Sequence, residues 1–243
     1  MDAAGMIRKA YSIFYSEYGR QGWWPLSGEP RNNSCEKGKG KHTPKHHNGR
    51  PVSDDDRFEI MVGAILTQNT AWTNVEKAIT QLNASGISTP ARILSSKKEK
   101  VANLIRSAGY YNQKSERLAI ISEFVRQNRF SNLIATDTPN LRQMLLDVKG
   151  IGPETADSIV LYAFEKPSFV IDAYTKRIFS RMGVCRKDEE YHALQSLFVS
   201  AMRKDVNAYK EYHALIVEHA KRHCRTKPIC TGCPISRLCQ QKL

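Results

Sequence analysis

Residues 145–164 read LLDVKGIGPETADSIVLYAF, and this stretch decides the fold. An apolar helical pattern ends at Val148, and Lys149-Gly150-Ile151-Gly152 follows. A second helix opens at Pro153. Two glycines permit a tight turn with positive φ. Proline suits the first helical position, where its missing N–H costs nothing. Glu154 in the first turn agrees with the helix dipole. Ile151 is the apolar peg of the turn. The turn and the helix start would present free backbone N–H groups together, an anion site sized for one phosphate.

Outward from this hairpin, helical spacing recurs along most of the chain. Phe58, Met61, Val62, Ile65 and Leu66 form one stripe behind the capping run Ser53-Asp54-Asp55-Asp56. Trp72, Val75, Ile79 and Leu82 form another, stopped by Gly86. Further helices are expected at 90–95, 97–107, 113–127, 138–148, 173–182, 190–203 and 207–222. Alternating strand patterns are absent, so the fold class is all-α. Residues 27–56 stand apart, being polar and rich in Gly, Pro and Lys. They lack the apolar surface that offsets ordering entropy and read as a disordered insert. Its Cys35, His42, His46 and His47 read as an adventitious metal site at most.

The 243 residues carry a formal charge of +13 and a pI near 9.5, a balance that favours a polyanionic partner. No apolar run reaches the roughly 18–20 residues of a membrane span. No secretory signal is read at the N-terminus, so an intracellular, reducing setting is expected, cytoplasmic or nucleoid-associated. There the run Cys224, Cys230, Cys233 and Cys239, spaced C-x5-C-x2-C-x5-C, points to metal rather than disulfides. Clustered thiolates suit either zinc or a [4Fe–4S] cluster, and spacing does not choose between them.

LDVKGIGPETAD followed by VIDAYTKRI resembles the helix-hairpin-helix DNA glycosylase superfamily. The C-terminal cysteines, GAILTQNTAW and SAGYYNQK resemble its endonuclease III-like branch. The likeness spans residues 1–26 and 57–243. It implies two helical lobes with a DNA-binding cleft between them. Residues 1–26 with 167–243 would form the cluster lobe, and 57–166 the helical barrel carrying the hairpin. It also implies that the four cysteines hold a [4Fe–4S] cluster, although the commonest endonuclease III spacing has six residues, not five, between the first two. The implied partner is double-stranded DNA containing a damaged base, bound by a monomer.

Asp172, in the frame Phe169-Val170-Ile171, reads alone as a helix N-cap. The resemblance makes it the catalytic aspartate, stabilising positive charge on the sugar or activating water. Glu154 occupies the motif position where bifunctional members carry a lysine that forms a Schiff base. A carboxylate cannot form an imine, so a monofunctional glycosylase is expected, with Glu154 at the site; Lys149 and Lys176 do not match the motif position.

Trp23-Trp24-Pro25 and Thr67-Gln68-Asn69-Thr70 with Trp72 resemble the 3-methyladenine glycosylases of that branch. This implies Trp24, Pro25 and Trp72 as walls of a pocket for a flipped, cationic N-alkylated purine. Gln68 and Asn69 would contact the lesion edge or fill the gap in the duplex. Lys149, Gly150, Ile151 and Gly152 of the hairpin, with Gly109, Tyr111, Asn112 and Lys114 of a second loop, are the expected DNA contacts. The competing readings are an endonuclease III-like glycosylase and lyase for oxidised pyrimidines or mismatched T or U, and a non-catalytic DNA-binding protein.

Overall fold

The computed structural model describes residues 1–27 and 50–241. Its α-helices are, in order, α1 (Ala3–Tyr18), α2 (Asp54–Leu66), α3 (Trp72–Ala84), α4 (Pro90–Ser95), α5 (Lys98–Leu104), α6 (Tyr111–Asn128), α7 (Phe130–Ala135), α8 (Thr138–Leu146), α9 (Pro153–Ser158), α10 (Ala173–Met182), α11 (Tyr191–Ala201) and α12 (Val206–Arg222). A 3₁₀ turn spans Arg106–Ala108, and a π-helical turn, Ile159–Ala163, extends α9. No strand occurs among the described residues, and none of their helices is long and apolar enough to cross a membrane. The fold is all-α, as the periodicity predicts.

Polar side chains start the helices. Asp2, Ser53, Thr89, Asp137, Asp172 and Asp205 each accept the amide three residues on. Such a cap contributes about 1 kcal/mol. At Ser53 the box is reciprocal, since Asp56 accepts the Ser53 amide at 3.0 Å. Residues 54–56 are therefore the first turn of α2, which corrects the end of the polar insert read from sequence. Ser27 is also anchored, its amide donating to Glu59 at 2.7 Å. The rest of that insert, with its cysteine and histidines, lies outside the described residues.

The chain divides into two compact units. Among the described residues, one gathers 1–25 and 167–241, the other 26–27 and 50–166. In the first, α1 packs on α11 and α12, and α10 on α12. Its core is aromatic: Phe169 stacks on Phe198 at 4.5 Å and meets Tyr209 edge-on at 5.2 Å. In the second, α2 is the central element, its residues Ile60–Leu66 all buried, and it packs on α3, α6, α9 and the π turn. There α8, the turn 147–152 and α9 form the hairpin expected from sequence.

Candidate functional site

The hairpin is held by groups that converge from several segments. Gly150 has φ +89°, and a Cβ built on it would lie 2.8 Å from Arg117 Nε. Only glycine suits both the angle and the approach. Ile151 is buried at 6% exposure and donates its amide to Val148 O at 3.0 Å. Lys149, Gly150 and Gly152 are exposed. Beneath the loop, Arg142 of α8 clasps Asp157 of α9 with Nε–Oδ1 2.7 Å and Nη2–Oδ2 3.1 Å. Asp157 is fully buried, so the two helices share an ion pair shielded from water. Sequence reading passed over both residues.

Gln68 serves the hairpin. Its Nε2 donates to Gly150 O at 3.2 Å and to Thr155 Oγ1 at 3.0 Å, while its Oε1 accepts from Arg117. In this structure Gln68 bridges the turn 147–152 and α9. Asn69 beside it is exposed with φ 53°, a left-handed tip that asparagine tolerates better than most residues.

Lys114 also departs from expectation. It is 1% exposed, and its Nζ donates to Leu66 O at 2.8 Å, Thr70 Oγ1 at 2.7 Å and Ala108 O at 2.9 Å. All three ammonium protons are used inside the unit, leaving none for phosphate. Burial, with help from the Arg117 charge, pulls its pKa down to about 8. The lysine ties the Thr67–Thr70 turn to the loop at Ala108–Gly109. From that loop Gly109 (φ 65°) and Tyr110 (φ 46°) turn outward in left-handed backbone, and Tyr110 is 70% exposed. Tyr111 carries the Arg106 guanidinium over its ring at 5.2 Å, and Asn112 is exposed. Tyr110 thus joins the outward-facing set that the sequence reading assigned to its neighbours.

Glu154 is exposed in the first turn of α9, and Trp72, half-buried, begins α3.

Asp172 sits in the other unit. The segment before it is clamped: Gln195 donates to Phe169 O at 2.7 Å, and Ile171 N lies 3.3 Å from Tyr191 Oη. Asp172 then caps α10, its Oδ1 accepting from Thr175 N and Thr175 Oγ1, both at 2.7 Å. Its Oδ2 faces His213 Nε2 of α12 at 3.5 Å. Both residues are buried, at 8% and 6% exposure. Burial pushes the carboxyl's pKa up, but His213 at 3.5 Å and the two Thr175 donors outweigh it. The net shift lies below the usual carboxylate value, so Asp172 is an ionised, rigid carboxylate at neutral pH.

The N-terminal aromatic segment is pinned to the same helix. Glu211 of α12 accepts the amides of Gln21 and Gly22, the latter at 3.1 Å. Trp23 sets its ring edge-on to His213, 5.9 Å between centroids at 89°. Trp24 is buried at 3% exposure and Pro25 is half-buried. His213 and Thr175 escaped the sequence reading, and Trp23 was read only as part of the Trp23-Trp24-Pro25 motif. The cap Asp172-x-x-Thr175 was the local signal for Thr175, and His213 carried none.

At the C-terminus, Cys224, Cys230, Cys233 and Cys239 line one cavity, together with Ile178, Ile235 and His219. Among the described residues, no group of three or more His, Cys, Asp or Glu is placed to hold a single metal ion. Gly232, at φ 71°, makes the turn between the central pair of cysteines. Arg181 Nη1 lies 3.4 Å from Cys224 Sγ, and Gln241 N lies 3.3 Å from Cys239 Sγ. Arg177 and Arg181 also hold the carbonyls of Cys224, Arg225 and Thr226. His219 is wholly buried, with Tyr18 Oη at 2.8 Å from its Nδ1 and Cys233 Sγ at 3.9 Å from its Nε2. Burial, reinforced by His223, pulls its pKa down to about 3, so it is a neutral imidazole.

Residues 62–204 match the family model described as HhH-GPD superfamily base excision DNA repair protein. A provisionally named DNA repair glycosylase of Methanocaldococcus jannaschii is 42% identical over 241 residues, 98% of this chain and 97% of the relative. Endonuclease III of Sulfolobus acidocaldarius is 29% identical over 188 residues, 76% of this chain and 82% of that protein. Among solved structures, the H. pylori 3-methyladenine DNA glycosylase bound to 1,N6-ethenoadenine superposes with TM-score 0.66 at 26% identity, covering 91% of this chain and 98% of that one. The hairpin, the capping aspartate and these similarities agree: the chain belongs to the HhH-GPD superfamily of base excision DNA repair proteins.

Proposed function

We propose that this protein is a monofunctional DNA N-glycosylase that removes alkylated purines of the 3-methyladenine type from double-stranded DNA. The observation that carries the reading is Asp172, an ionised and rigid carboxylate at a helix start. Cleavage of an N-glycosidic bond builds positive charge on the sugar. A carboxylate fixed near that carbon stabilises the charge, or takes a proton from the attacking water. The resulting products are the free base and an abasic sugar. The strand stays intact, because the motif position of an imine-forming lysine is held by Glu154.

The exposed hairpin residues Lys149, Gly150 and Gly152 suit a phosphate, and the outward tips at Asn69 and Tyr110–Asn112 suit insertion into a distorted duplex. Trp24, Pro25 and Trp72 are each proposed to contact the base, a reading supported by the likeness to a 3-methyladenine glycosylase. The four cysteines would hold a [4Fe–4S] cluster, their thiols lining one cavity. Bound there, the cluster would cross-link the loop 224–239.

The test is a base-release assay on duplexes containing N-methylpurines, thymine glycol, uracil or a T·G mismatch, each with and without alkaline treatment. Methylpurine release that nicks the strand only after alkali supports the proposal. Nicking of thymine glycol DNA without alkali overturns it in favour of an endonuclease III-like lyase.

A further inference from the structure

We propose that His213 is a positioning residue for Asp172, donating Nε2–H to Oδ2 and so aiming the carboxylate. The inference rests on the reading of Asp172 as catalytic. One oxygen of the carboxylate is fixed by two short bonds from Thr175 on its own helix. These set where the group sits, and rotation about them would still swing Oδ2. His213, delivered by α12, is the group that faces Oδ2 at 3.5 Å. Its ring is placed by tertiary structure: Trp23 lies edge-on to it, and Trp23 is held by the Gln21–Gly22 amides on Glu211. The N-terminal segment, α10 and α12 therefore meet at a single carboxylate. The arrangement resembles the orienting pair of a hydrolytic triad with the roles exchanged, the imidazole orienting and the carboxylate acting.

Two variants separate this role from simple packing. His213→Phe fills the volume and removes the donor. His213→Gln returns an N–H near the Nε2 position. Misplacing a reacting group by about 1 Å costs about 10²-fold in rate. Single-turnover release of 3-methyladenine should thus fall about 10²-fold in His213→Phe, with DNA affinity changed less than about twofold. His213→Gln should recover most of the rate. Nitrogen-15 NMR of the wild type should show a hydrogen-bonded Nε2–H tautomer at His213 that shifts in Asp172→Asn, a reading that needs neither substrate nor a changed histidine.

An inactive Asp172→Asn beside a fully active His213→Phe would overturn the positioning role while leaving the catalytic reading intact. So would a His213 signal that ignores Asp172→Asn. Wild-type rates from Asp172→Asn would instead overturn the catalytic reading itself.

Discussion

The Gln68 side chain reaches Gly150 O at 3.2 Å and, from the same nitrogen, Thr155 on the far side of the hairpin turn. The turn Thr67–Thr70 is thereby fastened to the hairpin turn on both flanks. Gln68→Ala removes both bonds and orphans part of Arg117. A loss of about 1–2 kcal/mol is expected. Faster hydrogen exchange at Ile151 and a weaker grip on undamaged duplex should accompany it.

Gly150→Ala tests the turn itself. The positive φ and the Arg117 approach both oppose a Cβ. The expected cost is about 1–3 kcal/mol. Adding Arg117→Ala should relieve the clash but not the backbone strain, so denaturant midpoints of the double variant should recover only in part.

Arg142→Ala leaves the buried Asp157 carboxylate without its clasp. Removing one partner of a buried pair typically costs about 3–5 kcal/mol. Urea unfolding should show this loss, with the midpoint falling and the slope unchanged.

Lys114 gives a pH signature. Its pKa is about 8 in the fold against an ordinary 10.5. Below pH 8 both states carry the proton. Between about 8 and 10.5 the unfolded chain binds more of it, so this group makes stability rise with pH across that window. Lys114→Met should lose that rise, seen by comparing unfolding free energies of the two proteins from pH 7 to 10. It should also be less stable at pH 7, with three hydrogen bonds lost from the buried turn.

Purified anaerobically, the protein should carry about four irons per chain and absorb broadly in the visible. Stoichiometric zinc without iron would overturn the cluster assignment. Tyr18→Phe should shift the cluster potential with little change in iron content, because the hydroxyl bonds the ring nitrogen opposite Cys233.

Much of this was legible in the chain because the signals are local. Glycines, the proline and a capping aspartate mark the hairpin and α10, and apolar spacing marks the long helices. Lys114 misled because its neighbours look like a DNA-facing loop, and the bridging bonds of Gln68 leave no mark in the sequence. Their partners, Leu66, Ala108, Gly150 and Thr155, converge only in three dimensions. His213 lies in a helix whose local pattern is ordinary, and its meaning comes from Asp172, 41 positions earlier in the sequence. The helix α7 follows Arg129 at φ 58°, a break without the glycine that usually announces one.

The π turn Ile159–Ala163 ends the hairpin's second helix inside the core. From Thr155 through Phe164 every residue is buried, a continuous run that a straight amphipathic helix on a protein surface does not produce. No position in this decade faces water, so none is free to drift. A library randomised over residues 145–164 should therefore return varied letters at exposed positions such as Asp147 and Lys149 and almost a single spelling after Glu154.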